Sequence, residues 1–226
     1  MSEPSYLMPA PESATGPGPN GRCAMVEDRG ATVWLTGLPS AGKSSVACAA
    51  EKLLLGSGRR VEVLDGDEIR AELWADLGFS KADRDLNVRR IGFIAELLAS
   101  NGVLVLVPAI APLADSRANV RERHRVRGTD FLEVYVATPV AVCALRDAKG
   151  LYARRAAGTI SGLTGVDAAY EAPTHPDLRL DTTDRTVAES ADEVCRLLSE
   201  RGLLQPIRPP ADAKERWHGR KRQVTR

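Results

Sequence analysis

The sequence predicts an α/β fold, a three-layer sandwich in which helices cover both faces of a mainly parallel five-stranded sheet. Runs rich in β-branched residues alternate with helical patterns along most of the chain, as they do where crossover helices connect parallel strands. The segment VLVLVPA, residues 103–109, is apolar throughout, which is typical of a strand buried on both faces. The 226 residues are enough for one such domain and too few for two.

Each element follows from a local pattern. β-branched and aromatic residues favour strands. The five expected strands are 31–37, 61–65, 103–109, 131–137 and 177–182. Apolar residues spaced three or four apart favour helices. The expected helices are 43–55, 67–76, 83–100, 115–126, 139–146 and 186–201. Residues 148–172 are rich in glycine and are expected to be irregular.

The two ends of the chain differ in composition from the middle. Residues 1–28 are rich in proline, glycine and serine, and we expect a disordered N-terminal arm there. Residues 206–226 are expected to form a basic C-terminal tail, which is either a solubilising end or a contact for nucleic acid or an acidic partner. The folded domain is therefore expected at 29–205.

Composition limits the classes of function. The formal net charge of +1 argues against nucleic acid or an acidic membrane as a partner. No apolar run is long enough to span a bilayer, and the N-terminus does not resemble a secretion signal. The cysteines are too scattered for a zinc site or a disulfide framework, at Cys23, Cys48, Cys143 and Cys195. We therefore expect a cytoplasmic protein with free thiols.

The clearest motif is GLPSAGKS at 37–44, which matches the phosphate-binding pattern GxxxxGK[ST] between an expected strand and an expected helix. Glycines let backbone N–H groups close around phosphate oxygens, and the helix N-terminus adds positive potential. The motif predicts a P-loop NTPase of the nucleotide-kinase type, with Lys43 on the β- and γ-phosphates and Ser44 on Mg²⁺. The expected ATP-binding residues are Gly37, Leu38, Pro39, Ser40, Ala41, Gly42, Lys43, Ser44 and Ser45. The alternative is a glycine-rich structural turn.

A second group of polar residues, Asp65 and Asp67 with Arg70, follows the second expected strand. Ligands bind at this edge of an open parallel sheet. An acceptor hydroxyl needs a carboxylate to orient it and take its proton, and Mg²⁺ needs oxygen ligands. The alternative is a turn at the end of a strand followed by a helix cap.

Two basic segments complete the candidate site. Arg84 and Asn87 are three residues apart, so one helix face could present a guanidinium and an amide to an anion. Residues 146–155 are basic and contain Gly150, which suits a lid that closes over phosphates. A solvated helix face and an exposed loop are the respective alternatives.

Together these segments resemble the adenylylsulfate kinases, which use MgATP to phosphorylate the 3′-hydroxyl of adenosine 5′-phosphosulfate. The resemblance runs from about residue 32 to residue 181. It is carried by GLPSAGKSS (37–45), LDGDEIR (64–70), LGFS (77–80), DRDLNVRR (83–90), FLEVYVATP (131–139), RDAKGLY (146–152) and LTGVDAAYEAP (163–173). It implies an enzyme of sulfate assimilation that uses ATP and Mg²⁺ and, as relatives often do, forms a homodimer.

The resemblance also implies roles for individual residues. Asp67 would be the acceptor-side base, and Asp65, nearby, would help to organise the metal or a water molecule. Arg70, Arg84 and Asn87 would hold the phosphosulfate group. The remaining acceptor-side residues would be Phe79, stacked on the adenine, Ile110 and Leu163 in the pocket wall, and Lys149 on the lid.

Five positions depart from the family pattern, at Leu86, Ala111, Leu113, Ala114 and Leu163. The family has polar groups at several of them and a phenylalanine at the last, and we expect all five on the acceptor side. A second hypothesis is therefore a kinase of this family that acts on the hydroxyl of another nucleoside, nucleotide or small alcohol. A third is a non-catalytic nucleotide-binding subunit.

Overall fold

The computed structural model describes residues 29–204. The expected arm at 1–28 and the expected tail at 206–226 lie outside the described residues, as does residue 205.

Five strands form one sheet in the order β2-β3-β1-β4-β5, and every pairing between them is parallel. The strands are β1 (Ala31–Gly37), β2 (Val61–Val63), β3 (Leu104–Pro108), β4 (Asp130–Val136) and β5 (Leu178–Leu180). The predicted fold class and all five strands are confirmed. The two edge strands, β2 and β5, are shorter than expected because each pairs on one side only.

Helices connect the strands and cover both faces of the sheet. They are α1 (Lys43–Gly56), α2 (Gly66–Leu73), α3 (Lys81–Ala99), α4 (Ala114–Arg127), α5 (Val140–Arg146), α6 (Leu151–Ala156) and α7 (Val187–Glu200). Side-chain caps define where several of them begin. Ser80 and Asp83 form a reciprocal capping box at the start of α3, and Thr186 and Glu189 form another at the start of α7.

Helix α6 corrects the expectation that residues 148–172 are irregular throughout. Gly150 and Gly158 adopt left-handed backbone conformations on either side of it. The Asp147 carboxylate accepts hydrogen bonds from the backbone N–H groups of Tyr152 and Ala153, at 3.0 and 2.9 Å. A short helix therefore forms between two glycine turns, and averaging the composition over the whole stretch hides it.

The core consists of two apolar layers separated by the sheet. Along β1, which is buried throughout, Val33 and Leu35 face the layer formed with α1 and α7, and Trp34 faces the layer formed with α3. The second layer is closely packed, since a Cβ built at Gly92 on α3 would lie 2.6 Å from a methyl carbon of Val120 on α4. These layers fix the sheet, whose carboxyl edge presents the loops of the site.

Within residues 29–204, no helix combines the length and the apolar character that crossing a membrane would require.

His124 on α4 is a fully buried polar side chain in the second layer. Its Nδ1 lies 2.8 Å from the carbonyl oxygen of Val120, which can only accept, so Nδ1 carries the proton. Its Nε2 lies 2.8 Å from the hydroxyl of Thr32 and is the acceptor of that bond. Both ring nitrogens are therefore satisfied in the neutral form.

Burial lowers the pKa of His124 below its usual value, so the unfolded chain binds a proton at higher pH than the folded chain does. We expect the free energy of unfolding to fall as the pH drops from about 7 to about 5, and the His124→Gln variant to lose less over that interval. Urea unfolding at a series of pH values measures both. Parallel pH dependences in the two proteins would contradict this account.

Candidate active site

The phosphate-binding loop connects the end of β1 to the start of α1. Ser40 and Gly42 have φ angles of 60° and 103°, in a region that L side chains rarely adopt. Gly42 is the N-cap of α1 and offers no side chain to the first turn. The N–H groups at this helix start are therefore available to an anion.

Two threonines hold this loop from the side of the core. The hydroxyl groups of Thr138 and Thr182 donate to the carbonyl oxygen of Ala41, at 3.1 and 2.9 Å. Both threonines are buried and follow the carboxyl ends of β4 and β5. The sheet thereby fixes the backbone of the loop before any ligand binds.

The side chain of Lys43 folds back against the loop. Its Nζ donates to the carbonyl oxygens of Gly37 and Leu38, at 3.0 and 2.7 Å. Burial lowers the pKa of Lys43 to about 8, against the opposing effect of the Asp67 charge. A phosphate group beside this ammonium would favour its charged form.

Ser44 and Asp65 bring two oxygen donors together. The Ser44 hydroxyl donates to Oδ2 of Asp65 at 2.6 Å, and Oδ1 of the same carboxylate accepts from the backbone N–H of Asp67 at 2.9 Å. Mg²⁺ binds through one or two protein oxygens and fills its other positions with phosphate oxygens and water. This pair fits such an ion. Asp65 also caps α2, and this cap does not prevent its carboxylate from facing Ser44.

Asp67, in the first turn of α2, forms an ion pair with Lys149. The Nζ–Oδ2 distance is 2.5 Å, and both side chains are more than half exposed. The hydrogen bond that the Lys149 ammonium donates to the Asp67 carboxylate raises the pKa of Lys149. Lys149 lies between α5 and α6, so the contact connects the expected lid to the expected acceptor-side base.

Arg84, near the start of α3, connects two walls of the site. Its guanidinium donates to the carbonyl oxygens of Phe79 and Gly162, both at 2.9 Å, and to the hydroxyl of Thr164 at 2.6 Å. Burial, followed by the positive charge of Arg70, lowers the pKa of Arg84. Arg70 donates to the carbonyl groups of Leu77 and Gly78, next to the Phe79 carbonyl that Arg84 contacts, so an anion that reached both guanidinium groups would relieve their repulsion.

Arg70 and Phe79 form the wall next to α2. The Arg70 guanidinium lies 4.5 Å from the centre of the Phe79 ring and donates to the carbonyl oxygens of Leu77 and Gly78. Phe79 remains 75% exposed, an unusual state for a phenylalanine. Its ring is therefore available to stack against a planar ligand.

These groups surround one cleft of about 1100 Å³. The predicted site residues that line it are Pro39, Ser40, Gly42, Lys43, Ser44, Ser45, Asp67, Arg70, Phe79, Arg84, Asn87, Ile110, Lys149 and Leu163. Four others, Gly37, Leu38, Ala41 and Asp65, are not part of this lining. Each of the four is hydrogen-bonded to a residue already described. The carbonyl groups of Gly37 and Leu38 accept from Lys43, that of Ala41 accepts from the two threonines, and the carboxylate of Asp65 accepts from Ser44.

A family model described as adenylylsulphate kinase matches residues 29–181. The chain belongs to this family. The resemblance inferred from the motifs is confirmed, and the fold is that of a P-loop kinase.

Relatives support the same membership. The chain is 46% identical to an adenylyl-sulfate kinase of Picosynechococcus sp., over 80% of this chain and 100% of that protein. It is 55% identical to the bifunctional enzyme CysN/CysC of Mycobacterium tuberculosis over 75% of this chain, but this region spans only 28% of that relative's length.

Two solved structures extend the comparison. One is the Mycobacterium tuberculosis APS kinase CysC in complex with AMPPNP and APS, at 54% identity and a TM-score of 0.74, covering 76% of this chain and 98% of that one. The other is a hexameric APS kinase from Thiobacillus denitrificans, at 35% identity and a TM-score of 0.60, covering 79% of this chain and 30% of that one.

The five departures from the adenylylsulfate kinase pattern differ in whether they line the cleft. Ala111 and Leu163 line the cleft, whereas Leu86, Leu113 and Ala114 do not. The backbone N–H of Ala114 donates instead to the Glu171 carboxylate at 2.7 Å. Two of the five substitutions therefore change the wall of the site, fewer than the sequence predicted.

Sequence reasoning missed residues on the donor side. Arg146 lines the cleft and donates to the hydroxyl and carbonyl oxygens of Thr182, at 2.7 and 2.6 Å. The hydroxyl of Tyr152 donates to the carbonyl oxygen of Pro39 in the phosphate-binding loop, at 3.2 Å. Both residues belong to the motif RDAKGLY, in which the sequence analysis identified only Lys149 as a site residue. The motif itself could therefore have indicated them.

It also missed the support of the acceptor-side loop. Arg117 on α4 is buried and pairs with Glu133 at 2.6 Å. It also donates to the carbonyl oxygens of Ala111 and Glu171, both at 2.7 Å. Ala111 has a φ of 41°, and Arg117 holds it there. Helix α4 is rich in charged residues, so the sequence gives no indication that Arg117 is buried.

The lowered pKa of Lys43 has a measurable consequence. At a pH of about 8 its ammonium and amine forms are equally populated. Bound phosphate favours the ammonium, so MgATP binding should take up about half a proton at that pH. Calorimetry in buffers of different ionisation enthalpy measures this uptake.

The Lys43→Met variant is the control for this measurement and should show no such uptake. An uptake of the same size in the variant would assign the proton to another group.

Proposed function

We propose that the protein transfers the γ-phosphoryl group of MgATP to the 3′-hydroxyl of adenosine 5′-phosphosulfate, giving ADP and 3′-phosphoadenosine 5′-phosphosulfate. One observation carries the proposal: a single cleft is lined by the phosphate-binding loop, by the carboxylate of Asp67 and by the guanidinium groups of Arg70 and Arg84. Membership of the adenylylsulphate kinase family and similarity to a structure with AMPPNP and APS support it.

The donor half of the cleft binds ATP. Backbone N–H groups of residues 40–44 and the ammonium of Lys43 contact the β- and γ-phosphates. Ser44 and Asp65 hold the Mg²⁺ ion, which neutralises phosphate charge when it is bound. Because the threonines already fix the loop, little reorganisation is needed when the nucleotide arrives.

The acceptor half binds a nucleotide with an anionic end. Arg70 and Arg84 pair with the phosphosulfate, and the exposed ring of Phe79 stacks on the adenine. Asp67 accepts a hydrogen bond from the 3′-hydroxyl and takes its proton as the new P–O bond forms. Phosphoryl transfer depends mainly on positioning and charge stabilisation, which these groups provide.

The lid contributes to the same step. Lys149 reaches Asp67 from the segment between α5 and α6, so closure of that segment brings a second cation to the transferred group. Exclusion of water by the lid prevents hydrolysis of ATP in place of transfer.

A different acceptor hydroxyl is the second candidate, and one observation favours it. Ala111 and Leu163 line the cleft where the family has a polar group and an aromatic ring. Exchanging an aromatic face for an aliphatic one weakens stacking by about 1 kcal/mol. The proposed acceptor remains the better supported because the anion-binding arginines and Phe79 are all in place.

We also propose a homodimer that works in the cytoplasm. The hexameric relative supports self-association in the family, and light scattering would measure the oligomeric state of this chain. The described cysteines, Cys48, Cys143 and Cys195, are all free thiols, which suits a reducing compartment.

A coupled ADP-release assay with MgATP tests the function directly. Adenosine 5′-phosphosulfate should give saturable turnover, and other nucleosides and nucleotides should give much less. The Asp67→Asn variant should lower kcat by about 10²- to 10⁴-fold, because no carboxylate then takes the proton from the substrate hydroxyl.

Glu68→Gln, on the same exposed turn but outside the cleft, is the matched control and should keep normal turnover. Turnover with another hydroxyl alone would establish the second candidate. No turnover with any acceptor would favour a non-catalytic nucleotide-binding subunit.

Arg84→Ala separates the two halves of the cleft. We expect KM for the acceptor to rise about 10- to 100-fold, the usual effect of losing a charged hydrogen-bond partner, with little change in KM for ATP. Steady-state kinetics with each substrate varied in turn measures both constants. Arg89→Ala, on the exposed side of the same helix, should change neither. Equal increases for both substrates would place Arg84 outside the acceptor half.

A further inference from the structure

The Asn87 side chain is oriented by a neighbour that the proposed function does not use. The indole N–H of Trp74 donates a hydrogen bond to Oδ1 of Asn87. An indole nitrogen can only donate, so it selects the oxygen of the amide over the nitrogen. The contact therefore determines which end of the amide faces Trp74.

Trp74 is itself held firmly. It is 9% exposed and belongs to the apolar layer that includes Val88 and Ile91 of α3. The guanidinium of Arg90 lies 5.3 Å from the centre of its ring. An indole fixed by packing on one side and by a cation on the other is a rigid reference point for the amide.

The other end of the amide is left for a ligand. Among residues 29–204, none forms a hydrogen bond with Nδ2 of Asn87, and Asn87 lines the cleft. It lies three residues beyond Arg84 on α3, and Arg84 and Arg70 both donate to carbonyl groups within residues 77–79. Asn87 therefore lines the same cleft as two guanidinium groups that are anchored on one short segment.

We propose that Trp74 is a positioning residue, whose indole N–H holds the Asn87 amide so that its NH₂ group donates to the anionic end of the acceptor. The inference rests on the proposed function and deepens it. Without this bond the amide can rotate by half a turn, and it then presents its carbonyl oxygen to the anion. That orientation replaces a hydrogen bond with a repulsion between two acceptors.

The Trp74→Phe variant tests this, since phenylalanine keeps an aromatic ring for packing and for Arg90 but has no N–H group. We expect KM for adenosine 5′-phosphosulfate to rise about 3- to 10-fold, as for the loss of one neutral hydrogen bond, with KM for ATP unchanged. In an Asn87→Ala background the same substitution should have no further effect on KM, because the group it orients is gone.

Trp34→Phe is the matched control. Trp34 belongs to the same apolar layer, and its indole nitrogen forms no hydrogen bond with residues 29–204. Its substitution should lower the unfolding temperature without changing KM for the acceptor.

Three results would overturn the inference. An unchanged acceptor KM in Trp74→Phe would do so, and so would an additive effect with Asn87→Ala or equal increases for both substrates. If Trp74→Phe is too unstable to assay, calorimetric binding of adenosine 5′-phosphosulfate to Asn87→Ala decides. This variant loses the NH₂ group without adding a charge, and affinity equal to wild type would refute the role of that group. A wild-type protein that turns over another acceptor but not this one would remove the proposed function and this inference together.

Discussion

The carbonyl group of Ala41 accepts hydrogen bonds from two buried threonines, and the arrangement of the whole site depends on these bonds. The phosphate-binding loop needs Ser40 and Gly42 at positive φ, a conformation that a free chain does not retain. Thr138 and Thr182 lie just beyond the carboxyl ends of β4 and β5. The positions of these two strands therefore determine where the two hydroxyl groups meet the loop. Once the loop is fixed, Lys43 and Ser44 are placed by the first turn of α1.

Much of the fold was predictable because its patterns are local. The apolar runs of β1, β3 and β4 are strong enough to identify buried parallel strands. The spacing of glycine and lysine in the phosphate-binding motif is specific for phosphate binding when it falls between a strand and a helix. The edges of the sheet were predicted less well, since the extent of β2 and β5 depends on partners distant in sequence. Helix α6 was missed because its two flanking glycines dominated the composition.

The candidate site was predictable where a residue carries its chemistry within a motif, as Asp67, Arg70 and Arg84 do. It was not predictable where the role depends on a distant partner. Arg117 supports Ala111 only because Glu133, 16 residues away, is buried beside it. The relative weight of the five departures from the family pattern likewise depends on which side chains face the cleft, and a single sequence does not contain that information.

The hydrogen bonds of Arg84 have a consequence for anion binding. This guanidinium is satisfied within the protein by the carbonyl groups of Phe79 and Gly162 and the hydroxyl of Thr164. An incoming anion must share or replace these partners, so part of its attraction is offset. The oxygen atoms of the protein therefore compete with any anion for the same N–H groups, and this competition limits how tightly the anion is held.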